Sequence, residues 1–258
     1  MDKKVVLVTG GFGGIGFATG KAFIKSGYDV LLTDIAAAPS PEVLESFHEL
    51  NRISSDAVGN MVLYPKCDIR SEEMARDLFE FCKKAYGRLD VLVTAHGVYS
   101  SQKVSELTEE EIDRIMDTNF KGVVLCAREA LYLMKTGVII NVGSSVGIAA
   151  DSDSPIYSAS KAAIHQFTKC LAQKCGRTIR VNVIAPGPVD TPLLRKAFNN
   201  DLKTIEEYRR MALRGIASCD EIATMIVFMA SDACNFMNGA IVPFDGGESI
   251  LYAGEPPK

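Results

Sequence analysis

The chain has 258 residues, 47% of them hydrophobic, with a formal net charge of −4. Length and composition suit one α/β domain spanning residues 1–258 around a buried core, since no composition break marks a second. The acidic balance offers no broad basic field, which disfavours nucleic acid as a partner, and no apolar run approaches the roughly 18 residues of a membrane span.

The N-terminus MDKKVVLVTG enters a strand without the basic and apolar regions of a signal sequence, so a cytoplasmic protein is expected. Seven cysteines without a CxxC spacing, mostly inside apolar runs, read as reduced core residues. Three scattered histidines, His48, His96 and His165, complete no ligand spacing with them, and no metal site is expected.

In chain order, β-branched runs predict strands over 5–8, 30–33, 61–64, 91–93, 138–142, 179–184 and 240–244. Amphipathic patterns predict helices near 14–26, 41–53, 71–86, 108–135, 157–175 and 219–230. Strands that are apolar without alternation, each followed by a helix, indicate a doubly wound, parallel, seven-stranded sheet covered on both faces. Ligands in such sheets bind beyond the carboxyl ends of the strands, at the point where the strand order reverses. The polar, helix-prone segment 190–214 departs from the alternation and reads as an inserted substrate lid. The short tail 248–258 ends in the proline-containing stretch Ala253 to Lys258, expected to fray or to serve subunit contacts.

Chemistry collects at the strand ends. After the first strand, residues 9–16 read TGGFGGIG, which fits both GxGxxG and TGxxxGIG. Glycines there let the backbone approach a pyrophosphate, and the free N–H groups of the following helix favour its charge; the bland alternative is an ordinary tight turn. Asp34 ends the second strand, eighteen residues after Gly16, where a carboxylate accepts from an adenosine ribose and repels a 2′-phosphate. NAD is therefore expected over NADP. Asp68, after the third strand, is placed either to bond the adenine amino group or to cap the helix that starts near Ser71.

Tyr157 and Lys161 share a helix face at i and i+4, thirteen residues after Ser144. With 8 Tyr in the chain, chance supplies roughly half of one Tyr-x-x-x-Lys match, and Tyr99 with Lys103 is such a decoy outside helical context. A free phenol titrates near pH 10; a cation beside it favours the phenolate, and bringing it to neutrality corresponds to roughly 4 kcal/mol. Such a tyrosine trades a proton with an alcohol or carbonyl oxygen.

With TGxxxGIG, Asp34, Ser144, Tyr157, Lys161 and the run NVIAPGPVDTP at 182–192 in this order, the chain resembles the short-chain dehydrogenase/reductase family from about residue 4 to residue 247. The resemblance implies a Rossmann-type sheet, an NAD-dependent oxidoreductase acting on a small-molecule alcohol or ketone, and a homo-oligomer, commonly a tetramer. It implies Tyr157 as general acid/base, Ser144 on the substrate oxygen, Lys161 on Tyr157 and the nicotinamide ribose, and Asn119 orienting a water of a proton relay. Gly10, Phe12, Gly14, Ile15 and Gly16 would hold the pyrophosphate, and Asp34, Ile35, Asp68, Ile69, Ala95, His96 and Gly97 the adenosine half. Pro186, Gly187, Val189 and Thr191 would fix the nicotinamide, Thr191 through its carboxamide.

One departure stands out. Where the family usually reads Asn-Asn-Ala-Gly after the fourth strand, this chain reads Thr94-Ala95-His96-Gly97, which puts the hydrogen bonds that stiffen that strand end in question. His96 either replaces one of them or is a packed imidazole. The expected reaction is the interconversion of a secondary alcohol and a ketone. A 3-oxoacyl-thioester reductase is the rival enzyme, disfavoured by Asp34 because those usually take NADPH, and a non-catalytic NAD-binding regulatory or scaffold protein is the rival class. Ala149, Ala150, Asp151, Ser152 and Asp153, Tyr99 to Gln102, and Leu193, Leu194, Arg195 and Phe198 of the lid suggest a polyol, sugar-like or cyclic hydroxy substrate, unless the polar ones are solvated loop.

Overall fold

The structure, a computed structural model, describes residues 3–53, 59–210 and 212–250. The tail Ala253 to Lys258 lies outside the described residues. Seven strands form one sheet: β1 Val5–Thr9, β2 Asp29–Thr33, β3 Met61–Tyr64, β4 Val91–Thr94, β5 Gly137–Val142, β6 Ile179–Pro186 and β7 Ile241–Phe244. Their order is β3-β2-β1-β4-β5-β6-β7 and every pairing is parallel. The order reverses between β1 and β4, which places a crevice at the carboxyl ends of those two strands.

Alternate strand residues point to opposite faces, and both sets are buried. Val6, Val8, Leu32, Ile140 and Ile184 pack with Phe17, Phe23 and Ile24 of α1 (Gly14–Lys25) and with Ile222 and Ile226 of α9 (Cys219–Ala230). Val5, Leu7, Leu31, Leu92, Ile139 and Val181 pack on the other face with Leu78 and Phe79 of α3 (Glu72–Tyr86) and Cys126 and Ala130 of α5 (Gly122–Leu133). Burial on both faces is why these strands read as unbroken apolar runs. The remaining helices are α2 (Pro41–Ile53), α4 (Glu109–Met116), α6 (Pro155–Cys175), α7 (Pro192–Ala197) and α8 (Leu202–Arg209).

The single helix expected near 108–135 is two. Between α4 and α5, Asp117–Lys121 form a wider turn in which the Gly122 N–H donates to the carbonyl of Asp117, five residues back. The extra residue swings Asn119 inward, where it is fully buried. The expectation for 190–214 resolves into α7 and α8, joined through Asn199 and Asn200, both in the left-handed region. The ends of this segment are pinned together: Val189 bridges Ala217, and Asp190 N–H donates to the Ala217 carbonyl at 2.9 Å. Among the described residues no helix is long and apolar enough to cross a membrane.

Candidate active site

A cleft of about 490 Å³ opens where the strand order reverses. It takes in every residue expected to serve catalysis or to hold the dinucleotide except Phe12 and Asn119; of those expected to shape the substrate, Tyr99, Asp151, Leu193, Leu194 and Phe198 line it, while Ser100, Ser101, Gln102, Ala149, Ala150, Ser152, Asp153 and Arg195 do not. At its floor, Gly10 adopts φ +66° with the His96 backbone so near that a Cβ would stand 2.7 Å from it. A Cβ on Gly16 would collide with the Gly10 carbonyl. These two glycines let β1 turn directly into α1.

α1 begins at Gly14, after Gly13 at the capping position, with no side-chain cap and no acidic residue in its first turn, so its first N–H groups remain open to an anion. Gly14 faces Thr191, whose methyl would lie 3.2 Å from a Cβ there. Asp34 is held by N–H donors from Phe12 (3.2 Å) and Ala36 (3.1 Å), which fixes a carboxylate at the cleft wall beside the exposed Ile35. An anion-ready helix start and a glycine cradle fit the pyrophosphate of an adenine dinucleotide, and the wall carboxylate fits its adenosine ribose.

Asp68 does not cap α3. Ser71 does, its Oγ accepting from Met74 N–H at 3.3 Å, because Asp68 is taken by Arg70. The guanidinium donates to both carboxylate oxygens, Nη2 at 2.7 Å from Oδ2, and this hydrogen-bonded ion pair holds the Asp68 carboxyl below its ordinary value. Thr191 carries a second duty as well: its Oγ1 accepts from Leu194 N–H at 3.1 Å and so caps α7.

At the end of β4, the stiffening that amides would supply comes from elsewhere. Thr94 sits opposite Asn141 in the β4–β5 register, and its hydroxyl donates to Asn141 Oδ1 at 2.7 Å, while Asn141 Nδ2 donates to Thr168 Oγ1 at 2.8 Å. His96 turns its ring away from this network. Nδ1 meets Thr9 Oγ1 at 2.5 Å, tying the ends of β1 and β4 together, and Nε2 is buried against Gly122 without a partner among the described residues. Burial, with the charge of Lys161 adding to it, pushes the imidazole down to about 3, so it is neutral at physiological pH. The His96 ring is thus packed into the cleft floor, while the residue also lines the cleft.

Asn119, drawn in by the wide turn, spans two elements. Its Oδ1 accepts from Val98 N–H at 2.8 Å, and its Nδ2 donates to the Val98 carbonyl at 2.9 Å and to Ser160 Oγ at 3.0 Å. The carboxamide thereby clamps the segment after β4 to α6, one residue before Lys161.

Ser144, Tyr157 and Lys161 meet at the other end of the cleft. Ser144 follows β5, and Pro155 in the first turn of α6 starts the helix that carries Tyr157 and Lys161 on one face. Ser144 stands near enough to Tyr157 to pull its pKa down, and Tyr99 packs edge-on against the Tyr157 ring at 5.1 Å between centroids. Lys161 Nζ donates to the Val142 carbonyl at 3.0 Å and stands 5.6 Å from the centre of the Tyr157 ring. The expected lowering of the Tyr157 pKa is not found. Burial pushes the phenol up to about 12, outweighing the downward pull of Ser144. Lys161, also buried, is itself pushed down to about 8.

The family model described as short chain dehydrogenase matches residues 4–202. The chain belongs to the short-chain dehydrogenase family. It is 33% identical over 251 residues to a 3-oxoacyl-(acyl-carrier-protein) reductase of Thermotoga maritima, covering 96% of this chain and 98% of the relative. It is also 33% identical over 254 residues to a cis-4-hydroxycyclohexanecarboxylate dehydrogenase of Sinomonas cyclohexanicum, with the same two coverages. Among solved structures, the ligand-free aldohexose dehydrogenase of Thermoplasma acidophilum superposes with a TM-score of 0.85 at 27% identity, over 100% of this chain and 98% of that one. As a short-chain dehydrogenase the chain is an oxidoreductase of small molecules that binds a nicotinamide dinucleotide.

This short-chain dehydrogenase also uses groups that sequence reasoning passed over. Thr94, Asn141 and Thr168 carry no motif and are joined only by strand register and helix packing. Tyr208 of α8 lines the cleft and packs at a tilt against Phe198 with 4.8 Å between centroids, a contact made only because the segment after α7 folds back. Glu248 reaches Ser145 across a gap of 103 residues.

Proposed function

We propose that the protein is an NAD(H)-dependent oxidoreductase that interconverts a secondary alcohol and a ketone, with Tyr157 as general acid/base. The observation that carries this reading is that Ser144, Tyr157 and Lys161 share one cleft with the glycine loop and Asp34. When bound, the dinucleotide supplies the hydride acceptor or donor at its nicotinamide ring. Ser144 and Tyr157 bracket the substrate oxygen. Tyr157 keeps its proton at neutral pH, as protonation of a carbonyl requires; in alcohol oxidation the phenol first gives that proton up to solvent, and its oxygen then accepts the proton of the alcohol. Lys161 supplies the charge that steadies the phenolate during that exchange and donors for the ribose, while Asn119 holds the segment beside Gly97 and serves a water-borne proton path. Gly10 to Gly16, with Phe12 backing Asp34, take the pyrophosphate; Ile35, Asp68, Ile69, Ala95 and Gly97 take the adenosine; Pro186, Gly187, Val189 and Thr191 take the nicotinamide end.

NAD over NADP is supported by the fixed Asp34 carboxylate, which repels a 2′-phosphate. The segment 190–214 acts as the lid, with Leu193, Leu194, Phe198 and Tyr208 facing the cleft. The free state of all seven cysteines fits a reducing cytoplasm, and the exposed Phe228 and Phe236, on and just after α9, fit subunit contacts of a tetramer. The named relatives act, by their names, on a hydroxycyclohexanecarboxylate, an aldohexose and a 3-oxoacyl-(acyl-carrier-protein), and the first two agree with a cyclic or sugar-like secondary alcohol. The thioester reaction is the second reading, favoured by the Thermotoga maritima relative. Incubation with a panel of secondary alcohols and with a 3-oxoacyl thioester, each with NAD and NADP, followed by nicotinamide absorbance, separates them. Turnover of alcohols with NAD is the expected result; activity confined to the thioester with NADPH would overturn it.

A further inference from the structure

After β7 the chain turns through Asp245-Gly246-Gly247 and sends Glu248 back over the ends of β5 and β6. The turn is anchored on two sides. The Asp245 carboxylate accepts the N–H groups of Gly247 and Ser249, each at 3.0 Å, and Arg214 N–H donates to the Gly246 carbonyl at 3.0 Å. Gly246 and Gly247 take φ values of +62° and +87°, which L side chains rarely adopt, so the path to Glu248 is set by these residues.

The Glu248 carboxylate lies at a defined place. Ser145, buried and next in the chain to Ser144, donates its Oγ–H to Glu248 Oε2 at 2.6 Å. A Cβ on Gly187, in the loop assigned to the nicotinamide end, would stand 2.9 Å from that same oxygen. The negative charge is near enough to act on both Tyr157 and Tyr208. An ionised carboxylate has about four acceptor positions, and among the described residues Ser145 is its one hydrogen-bond donor. Burial pushes the Glu248 carboxyl up, as expected of an acceptor short of donors. Neither proton exchange nor dinucleotide binding uses this group.

We propose that Glu248 is a specificity residue: it accepts a hydrogen bond from a hydroxyl on the carbon next to the reacting carbinol, so that vicinal diols of polyol or sugar type are the preferred substrates. The position follows from the anchor, since Ser145 adjoins the serine that holds the reacting oxygen. A hydroxyl fits better than an ammonium because Lys161 already places a cation in the cleft, and better than a carboxylate because Glu248 repels one. This inference rests on the alcohol–ketone reading above.

The test compares kcat/KM for 1,2-cyclohexanediol against cyclohexanol and for 2,3-butanediol against 2-butanol, with NAD, in the unaltered protein, Glu248→Gln and Glu248→Leu. A hydrogen bond to a charged group gives an expected preference of about tenfold or more for the diol of each pair in the unaltered protein. Glu248→Leu should bring the ratio to about one, and Glu248→Gln, which keeps the shape and one acceptor, should lower it about threefold or more. Melting temperature and quenching of nicotinamide fluorescence report that each variant is folded and binds cofactor. No diol preference in the unaltered protein, or an unchanged ratio in the Gln variant, overturns the proposal while leaving the oxidoreductase reading intact. Failure of the folded, cofactor-binding protein to turn over any alcohol with either dinucleotide overturns that reading, and this one with it.

Discussion

Asp34 and the two buried histidines show how single residues set the cleft. Asp34 is fixed by two backbone donors rather than by a cation. Replacing it with Ser removes the charge a 2′-phosphate meets, and the ratio of kcat/KM for NAD over NADP is expected to fall by about tenfold or more. Steady-state kinetics with both cofactors decides this, and an unmoved ratio would place cofactor choice elsewhere. His96 and His165 are pushed by burial down to about 3 and about 4. A base whose folded pKa is depressed leaves stability intact above its unfolded value near 6.5 and lowers it as pH falls from there toward the folded value. Urea midpoints should therefore decline below about pH 6.5, each histidine contributing a slope of up to about 1.4 kcal/mol per pH unit. His165→Gln is expected to flatten the decline, and a slope that ignores the substitution would contradict the burial account. The sequence left His96 open between a binding role and a packed imidazole. Its ring packs against Thr9 and Gly122, and neither adjoins it in the chain, so that packing has no local signal.

At the scale of elements, the break between α4 and α5 is the feature periodicity could not reveal. Apolar spacing over 108–135 runs on through the wide turn, since one extra residue in a turn hardly disturbs the pattern. Its effect is to hand Asn119 to Val98 and Ser160. Asn119→Ala removes three hydrogen bonds from a buried site and leaves Val98 N–H and Ser160 Oγ short of a partner, which is expected to cost about 2–3 kcal/mol in chemical denaturation. A loss under about 0.5 kcal/mol would show that the clamp contributes nothing measurable. The strands and the other long helices were legible because their signals are local: unbroken β-branched runs, a proline in the first turn of α6, glycines at the start of α1. Contacts made by register and fold-back, such as Thr94 with Asn141 and Glu248 with Ser145, have no local signal.

For the whole molecule, the reversal of strand order between β1 and β4 gathers residues from nearly the full chain into one cleft. That convergence is what ordered motifs in the sequence predicted, and it holds for the glycine loop, Asp34, Ser144, Tyr157 and Lys161 alike. What the motifs did not predict is the electrostatic balance inside the cleft, where burial raises the phenol and lowers the lysine, because desolvation depends on everything packed around a group rather than on its partner four residues away. The central claim is that the Tyr157 oxygen exchanges the reacting proton, and Tyr157→Phe tests it with the least change of shape. Turnover of the best alcohol should drop by at least about 100-fold while the dissociation constant for NAD, read by fluorescence quenching, stays within about twofold; a variant that still turns over within about tenfold of the unaltered protein would contradict the account.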